Sequence, residues 1–134
     1  MKEYRYRVNF MNLLKKETGG DVFHPSDFGR LKRQQPDLLY SVIGFVKFEL
    51  KAWDRKRIDW TWEYECKRNP KQTQFYKFEC VQSWVFYIIY RKGKRHTNNE
   101  PDWIYCVNRN KYVNLTELYD LICEKYENSM LGLR

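Results

Sequence analysis

One apolar run constrains the fold more than any other part of the sequence. Residues 84–90 read Trp-Val-Phe-Tyr-Ile-Ile-Tyr, so every position is aliphatic or aromatic and three are β-branched. A continuous run of this kind is typical of a buried strand. It is also far shorter than the roughly 20 residues that a membrane-spanning helix needs. We therefore predict a buried strand over residues 83–90 and no transmembrane helix.

The other elements follow from hydrophobic periodicity and from turn and capping residues. Tyr6, Phe10 and Leu13 recur at helical spacing, and Asn114 with Glu117 has the form of a capping box. We predict helices over 3–17, from 69 to about 81 and from 115 onward, and strands over 22–23, 37–41, 45–53, 103–107 and 111–113. Neither period dominates over 54–68. This order predicts one α/β domain, residues 1–134, with a central mixed sheet flanked by helices.

The charge balance points to a polyanionic partner. The chain has 25 Lys and Arg against 17 Asp and Glu, a formal net charge of +8. Such an excess attracts nucleic acid, so DNA is the first partner that we expect. A basic loop carries Arg91, Lys92, Lys94 and Arg95, which either grip phosphates or form a solvated turn.

Cysteine usage and the amino-terminal sequence indicate the compartment. The four cysteines contain no Cys-x2-Cys pair, which argues against a zinc site and favours reduced thiols. Residues 1–7 lack the features of a secretory signal. We expect a protein of the cytoplasm, or of wherever its host keeps DNA, that is not secreted and has no membrane partner.

Two charged residues end an apolar strand and are candidates for chemistry. Because side chains alternate along a strand, Glu49 and Lys51 project from one face, and Val46, Phe48 and Leu50 project from the other. We expect one face to be core and the other to carry chemistry. In the predicted hairpin Asp37 starts the partner strand, so two carboxylates and an ammonium come together. Mg²⁺ prefers such oxygen ligands, and Lys51 would stabilise developing negative charge. The alternative is a surface ion pair between Glu49 and Lys51.

The spacing of these residues resembles a known motif. Pro36-Asp37, eleven residues, then Glu49-Leu50-Lys51 is similar to the PD-(D/E)XK motif of the restriction-endonuclease-like nucleases. Two variants that are similar to this chain are VRR-NUC domains and archaeal-type Holliday junction resolvases. They resemble this chain in an amino-terminal helix, Pro-Asp-Leu, a strand ending in Glu-x-Lys and a Gln-bearing helix before a further strand. The resemblance covers residues 3–107.

The resemblance implies a role for each matching residue. Asp37, Glu49 and the Leu50 carbonyl would bind Mg²⁺, with Mn²⁺ as a substitute, and Lys51 would assist the nucleophile. Gln72 would lie near the metal or phosphate, with Gln74 as the competing choice. Glu3 corresponds loosely to an acid of the first helix. The distance from Lys51 to Gln72 exceeds the usual one, so residues 54–68 are interpreted as an insertion that shapes substrate choice.

The resulting hypothesis is a Mg²⁺-dependent endonuclease that acts on branched or otherwise structured DNA in recombination, repair or phage replication. The alternatives are a non-catalytic nucleic-acid-binding module and an RNA endonuclease with a similar site. No small-molecule cofactor is expected. A homodimer is expected because symmetrical junctions need paired cuts and because 24 aromatic residues exceed what a small core hides, which would leave an apolar patch. Trp60, Trp62 and Tyr64 either belong to that patch, pack in the core or stack on bases. His24 and His96 lie in predicted loops without a nucleophile partner, and Pro101-Asp102 is interpreted as a loop end.

Overall fold

The computed structural model describes residues 3–18, 22–23, 38–41 and 45–130. Four α-helices are described: α1 (Glu3–Thr18), α2 (Trp62–Arg68), α3 (Pro70–Glu79) and α4 (Leu115–Met130), and a short 3-10 helix spans Thr97–Asn99. Six strands are described: β1 (Val22–Phe23), β2 (Leu38–Ser41), β3 (Phe45–Trp53), β4 (Trp84–Arg91), β5 (Trp103–Cys106) and β6 (Lys111–Tyr112). The mixed α/β class predicted from the sequence is confirmed.

The six strands form one mixed sheet in the order β1-β2-β3-β4-β5-β6. All neighbours are antiparallel except β3 and β4, which run parallel and are joined by a crossover through α2 and α3. The β2–β3 pairs start at Leu38 opposite Phe48, whereas β3 pairs with β4 as far as Trp53 opposite Arg91. Within the described residues, β3 from Glu49 onward therefore pairs with β4 alone.

Hydrophobic cores cover both faces of the sheet. On one face α1 and α4 pack on β3 and β4, and side chains such as Phe10, Phe48 and Leu118 are fully buried. On the other face lies a second, largely aromatic core between the sheet and the α2–α3 crossover. Its members include Trp53, Trp60, Trp62, Tyr76, Tyr87 and Tyr105. The expectation of one core face and one purely chemical face is wrong, because the residues around Glu49 are packed against this second core.

The second core also removes the apolar patch that was expected to be left for a partner. Trp60 and Trp62 are buried, and Tyr64 packs edge-on against Trp53. The ring of Trp62 stacks on Tyr105 with 4.8 Å between centroids. These aromatic residues therefore stabilise the fold, since offset and edge-on pairs add about 0.5–1.5 kcal/mol each beyond burial.

The stretch over 54–68, left unassigned by periodicity, ends in a short helix set by its caps. The Thr61 hydroxyl accepts a hydrogen bond from the Tyr64 N–H and begins α2. Asn69 ends α2 and precedes Pro70, which opens α3 at its first position as predicted. Asn114 and Glu117 form the predicted capping box of α4. No helix in the described ranges is long and apolar enough to cross a membrane.

Candidate metal site

Glu49 is a buried carboxylate held by two residues of α3. Its side chain is 4% exposed. Its Oε1 accepts hydrogen bonds from the Gln72 Nε2 at 2.7 Å and from the Tyr76 hydroxyl at 2.9 Å. A charge is buried only where it is paired or hydrogen-bonded, and both donors engage the same oxygen. The arrangement fixes the orientation of this carboxylate on the α3 side of the sheet.

Local geometry explains why these three residues meet. Glu49 lies on the strand face opposite Phe48 and Leu50, which are buried in the first core. Gln72 and Tyr76 are four residues apart on α3, so both lie on one side of that helix. Gln74, the competing choice for the sequence-predicted role, is exposed. The structure thus brings Gln72 rather than Gln74 to Glu49.

Tyr76 was not singled out from the sequence. The sequence does indicate its position, because a tyrosine four positions after Gln72 lies on the same helix face. A buried tyrosine hydroxyl needs a hydrogen-bond partner, and here that partner is the Glu49 carboxylate. Its ring also meets Tyr87 edge-on at 5.6 Å in the second core. Tyr76 therefore joins the candidate site to the aromatic core.

The residues present fit a hard cation in part. Gln72 uses its amide nitrogen on Glu49, and its Oε1 is buried without a hydrogen-bond partner among the described residues. An amide oxygen beside a carboxylate is a ligand type that Mg²⁺ accepts, with water filling the remaining positions. The described ranges contain no group of three His, Cys, Asp or Glu able to hold a metal. Asp37, the second predicted carboxylate, lies outside the described residues, as does the side chain of Glu3.

The neighbouring lysines of β3 differ in their contacts. Lys51 is half-buried and lies two residues beyond Glu49 on the same strand face. Lys47, two residues before Glu49, forms a close ion pair with Glu79 at the end of α3. This hydrogen bond lowers the pKa of Glu79 despite its partial burial. The Glu79 carboxylate thus balances the charge of Lys47. Lys51 is the lysine of this face to which the motif resemblance gives a catalytic role. The role predicted for the Leu50 carbonyl stays a prediction.

The predicted basic loop divides into two kinds of residue. Lys92 and Arg95 are exposed and form no side-chain hydrogen bond or ion pair with any described residue. Lys94 is 55% exposed and pairs with Asp102. Arg91 belongs to β4, and its guanidinium bonds the Arg55 carbonyl and Asp59. The sequence-predicted phosphate contact of Arg91 therefore competes with contacts inside the protein.

Asp102, predicted from the sequence to be part of a loop end, has a buried side chain that accepts several hydrogen bonds. Its side chain is 6% exposed and accepts hydrogen bonds from the Arg91 backbone N–H, from Lys94 and from His96. Burial alone would raise the pKa of Asp102, but these three donors outweigh it and lower the pKa. The His96 ring also meets the rings of Tyr6 and Tyr90 edge-on. Asp102 and His96 thereby tie the basic loop to the body of the protein.

The described cysteines are free thiols shielded from solvent. Burial raises the pKa of Cys80 to about 11 and also raises that of Cys106. Cys66 is likewise unbridged. A thiol whose pKa is raised is a poor nucleophile at physiological pH, which argues against a nucleophilic role for Cys80 and Cys106.

The chain was compared with protein-family models, curated proteins and solved structures, and none of them matches it.

Proposed function

We propose that the protein is a metal-dependent endonuclease with a restriction-endonuclease-like fold that hydrolyses phosphodiester bonds of DNA. The observation that carries the proposal is the contact between Glu49 and Gln72. A Glu-x-Lys strand end and a glutamine of the crossover helix meet, as the motif resemblance requires. The element order also agrees with the resemblance, since a helix, an antiparallel hairpin, a Gln-bearing helix and a further strand follow one another.

In this proposal each residue acts through the atoms that it presents. Glu49 and Asp37 would hold Mg²⁺, and the Gln72 Oε1 would contribute directly or through water. When bound, Mg²⁺ supplies a nucleophilic water at neutral pH and stabilises charge on the leaving oxygen. Lys51 orients the attacking water or balances the charge that develops on the phosphate. Tyr76 holds the Glu49 carboxylate in place and is a positioning residue.

The second candidate function is a non-catalytic nucleic-acid-binding module. The same contacts favour it, because two hydrogen bonds satisfy Glu49 as a buried structural carboxylate. It keeps the net charge of +8 and needs no metal. An RNA endonuclease with the same site is a third candidate. Homodimer formation stays a prediction, although its expected aromatic patch is buried.

One cleavage experiment separates these functions. Linear, nicked, flapped and four-way DNAs, together with a structured RNA, are incubated with the protein in Mg²⁺, in Mn²⁺ and in chelator. We expect cleavage of at least one branched DNA in either metal and none in chelator. Binding without cleavage of any substrate would identify the non-catalytic module. Cleavage of RNA alone would assign the protein to RNA.

A further inference from the structure

We infer that two loops at one edge of the sheet form a single surface that binds the phosphate backbone of a nucleic-acid duplex. The loops are the β3–α2 loop (54–61) and the β4–β5 loop (92–102). The surface, called the basic edge below, consists of Lys56, Arg57, Lys92 and Arg95. The inference rests on the proposed nucleic-acid function and adds the residues of the first loop to its binding surface.

The loops are neighbours because β3 and β4 are parallel. The carboxyl ends of parallel strands meet at one edge of a sheet, and Trp53 opposes Arg91 where both strands end. The Lys92 N–H donates to the Trp53 carbonyl at 2.7 Å, so the two loops leave the sheet side by side. Lys51 lies two residues earlier on β3, which is about 7 Å along the strand. The basic edge therefore adjoins the candidate metal site.

Arg91 braces the two loops. Its guanidinium bonds the Arg55 carbonyl, lies 2.8 Å from the Asp59 carboxylate and covers the Trp103 ring at 5.0 Å. Only one of these contacts, with Asp59, neutralises its charge. Because the Arg91 guanidinium donates its hydrogen bonds to groups within the protein, we assign Arg91 as a positioning residue of the basic edge rather than as a phosphate contact.

The four cations of the basic edge are free to bind anions. Lys56, Arg57, Lys92 and Arg95 are all exposed, and within the described ranges none has a side-chain ion pair or hydrogen bond. Exposed cations of this kind bind phosphate by releasing counterions from the nucleic acid. The chain's net charge of +8 adds long-range attraction.

The aromatic rings near the basic edge indicate which form of nucleic acid, duplex or single strand, this surface binds. Single-strand binding commonly uses open aromatic rings on which bases stack. Here Trp53 is buried, the Tyr64 ring lies under Arg55 and Arg68 at 5.1 and 6.0 Å, and Trp103 lies under Arg91. A ring face that is covered by a guanidinium group is not open to a stacking base. The basic edge therefore fits backbone binding that is independent of sequence.

Binding without metal tests the inference separately from cleavage. Fluorescence anisotropy in chelator measures affinity for a duplex and for its separated strand over a range of salt concentrations. We expect K56A/R57A and K92A/R95A each to flatten the slope of log K against log salt by about 1.8, at roughly 0.9 per lost phosphate contact. The control K15A/K16A removes two exposed lysines of the last turn of α1, which do not belong to the basic edge, and should keep the wild-type slope.

The outcomes distinguish the basic edge from the function on which it rests. A wild-type slope for K56A/R57A would overturn the two-loop surface even if K92A/R95A behaved as expected. Tighter binding of the single strand than of the duplex would overturn the duplex assignment. A wild-type protein that binds neither would overturn the proposed function itself.

R91K keeps the charge but loses the brace, so it should weaken duplex binding as much as R91A. Wild-type affinity for R91K would overturn the positioning role assigned to the Arg91 guanidinium.

Discussion

Replacing Glu49 with glutamine is expected to lower the cleavage rate by about 10³-fold or more, equivalent to roughly 4 kcal/mol of activation free energy. The amide keeps the size of the side chain and one oxygen that can accept from Gln72 and Tyr76. It removes the negative charge that a divalent cation requires. Single-turnover cleavage in Mg²⁺ measures the effect, and duplex binding in chelator should stay near the wild-type value.

A second buried glutamate provides the matched control. Glu65 is also 4% exposed and accepts hydrogen bonds from two donors, the Trp60 indole and the Asn69 amide. It lies on α2 and contacts neither Glu49 nor Gln72 through any described hydrogen bond. E65Q therefore carries a similar structural cost without touching the candidate site, and its cleavage rate should stay close to wild type. Equal losses in E49Q and E65Q would mean that the effect is structural.

Replacing Asp102 with asparagine is expected to lower the free energy of unfolding by about 3 kcal/mol. Removing one partner from a buried, hydrogen-bonded charge cluster commonly costs 3–5 kcal/mol, and the exposure of Lys94 reduces that figure. The loss should appear as a melting temperature lower by roughly 10 °C, measured by circular dichroism. The exposed carboxylate of Asp120 supplies the control, because D120N should change stability by less than about 0.5 kcal/mol.

The difference in stability between wild type and D102N is also expected to depend on pH. Because the pKa of Asp102 is lowered by folding, its ionised form stabilises the protein above the ordinary value of 3.8. That contribution is lost as the pH falls from about 3.8 through the lower pKa of the folded state. The difference in stability between wild type and D102N should therefore be full at neutral pH and shrink in this acidic window. A difference that does not change with pH would contradict the assigned role of the Asp102 charge.

Elements with a strong local pattern could be predicted from the sequence. The continuous apolar run predicted β4, and the capping box predicted the start of α4. The hairpin of β2 and β3 followed from two strand-forming runs around a short turn. In each case neighbouring residues along the chain determine the outcome, so periodicity and capping suffice.

Features that depend on distant contacts could not be predicted. α2 has only seven residues, and its one tryptophan, Trp62, is held by rings of β4 and β5 rather than by a helical repeat. Arg91 donates a hydrogen bond to the Arg55 carbonyl, 36 positions away in the sequence. The basic run that begins at Arg91 does not predict this contact. The burial of Asp102 likewise arises only when the loop folds back on β4. At the candidate site the sequence indicated Glu49, Lys51 and Gln72, and the tertiary fold added Tyr76.

Mn²⁺ binding to the free protein tests the central claim most directly, because it requires no knowledge of the substrate. Titration of wild type, E49Q and E65Q by calorimetry, or by the paramagnetic resonance signal of free Mn²⁺, compares the candidate site with the matched control. We expect wild type and E65Q to bind Mn²⁺ with the same affinity and E49Q to lose that binding. Equal binding by all three proteins, or none by the wild type, would contradict a metal site at Glu49.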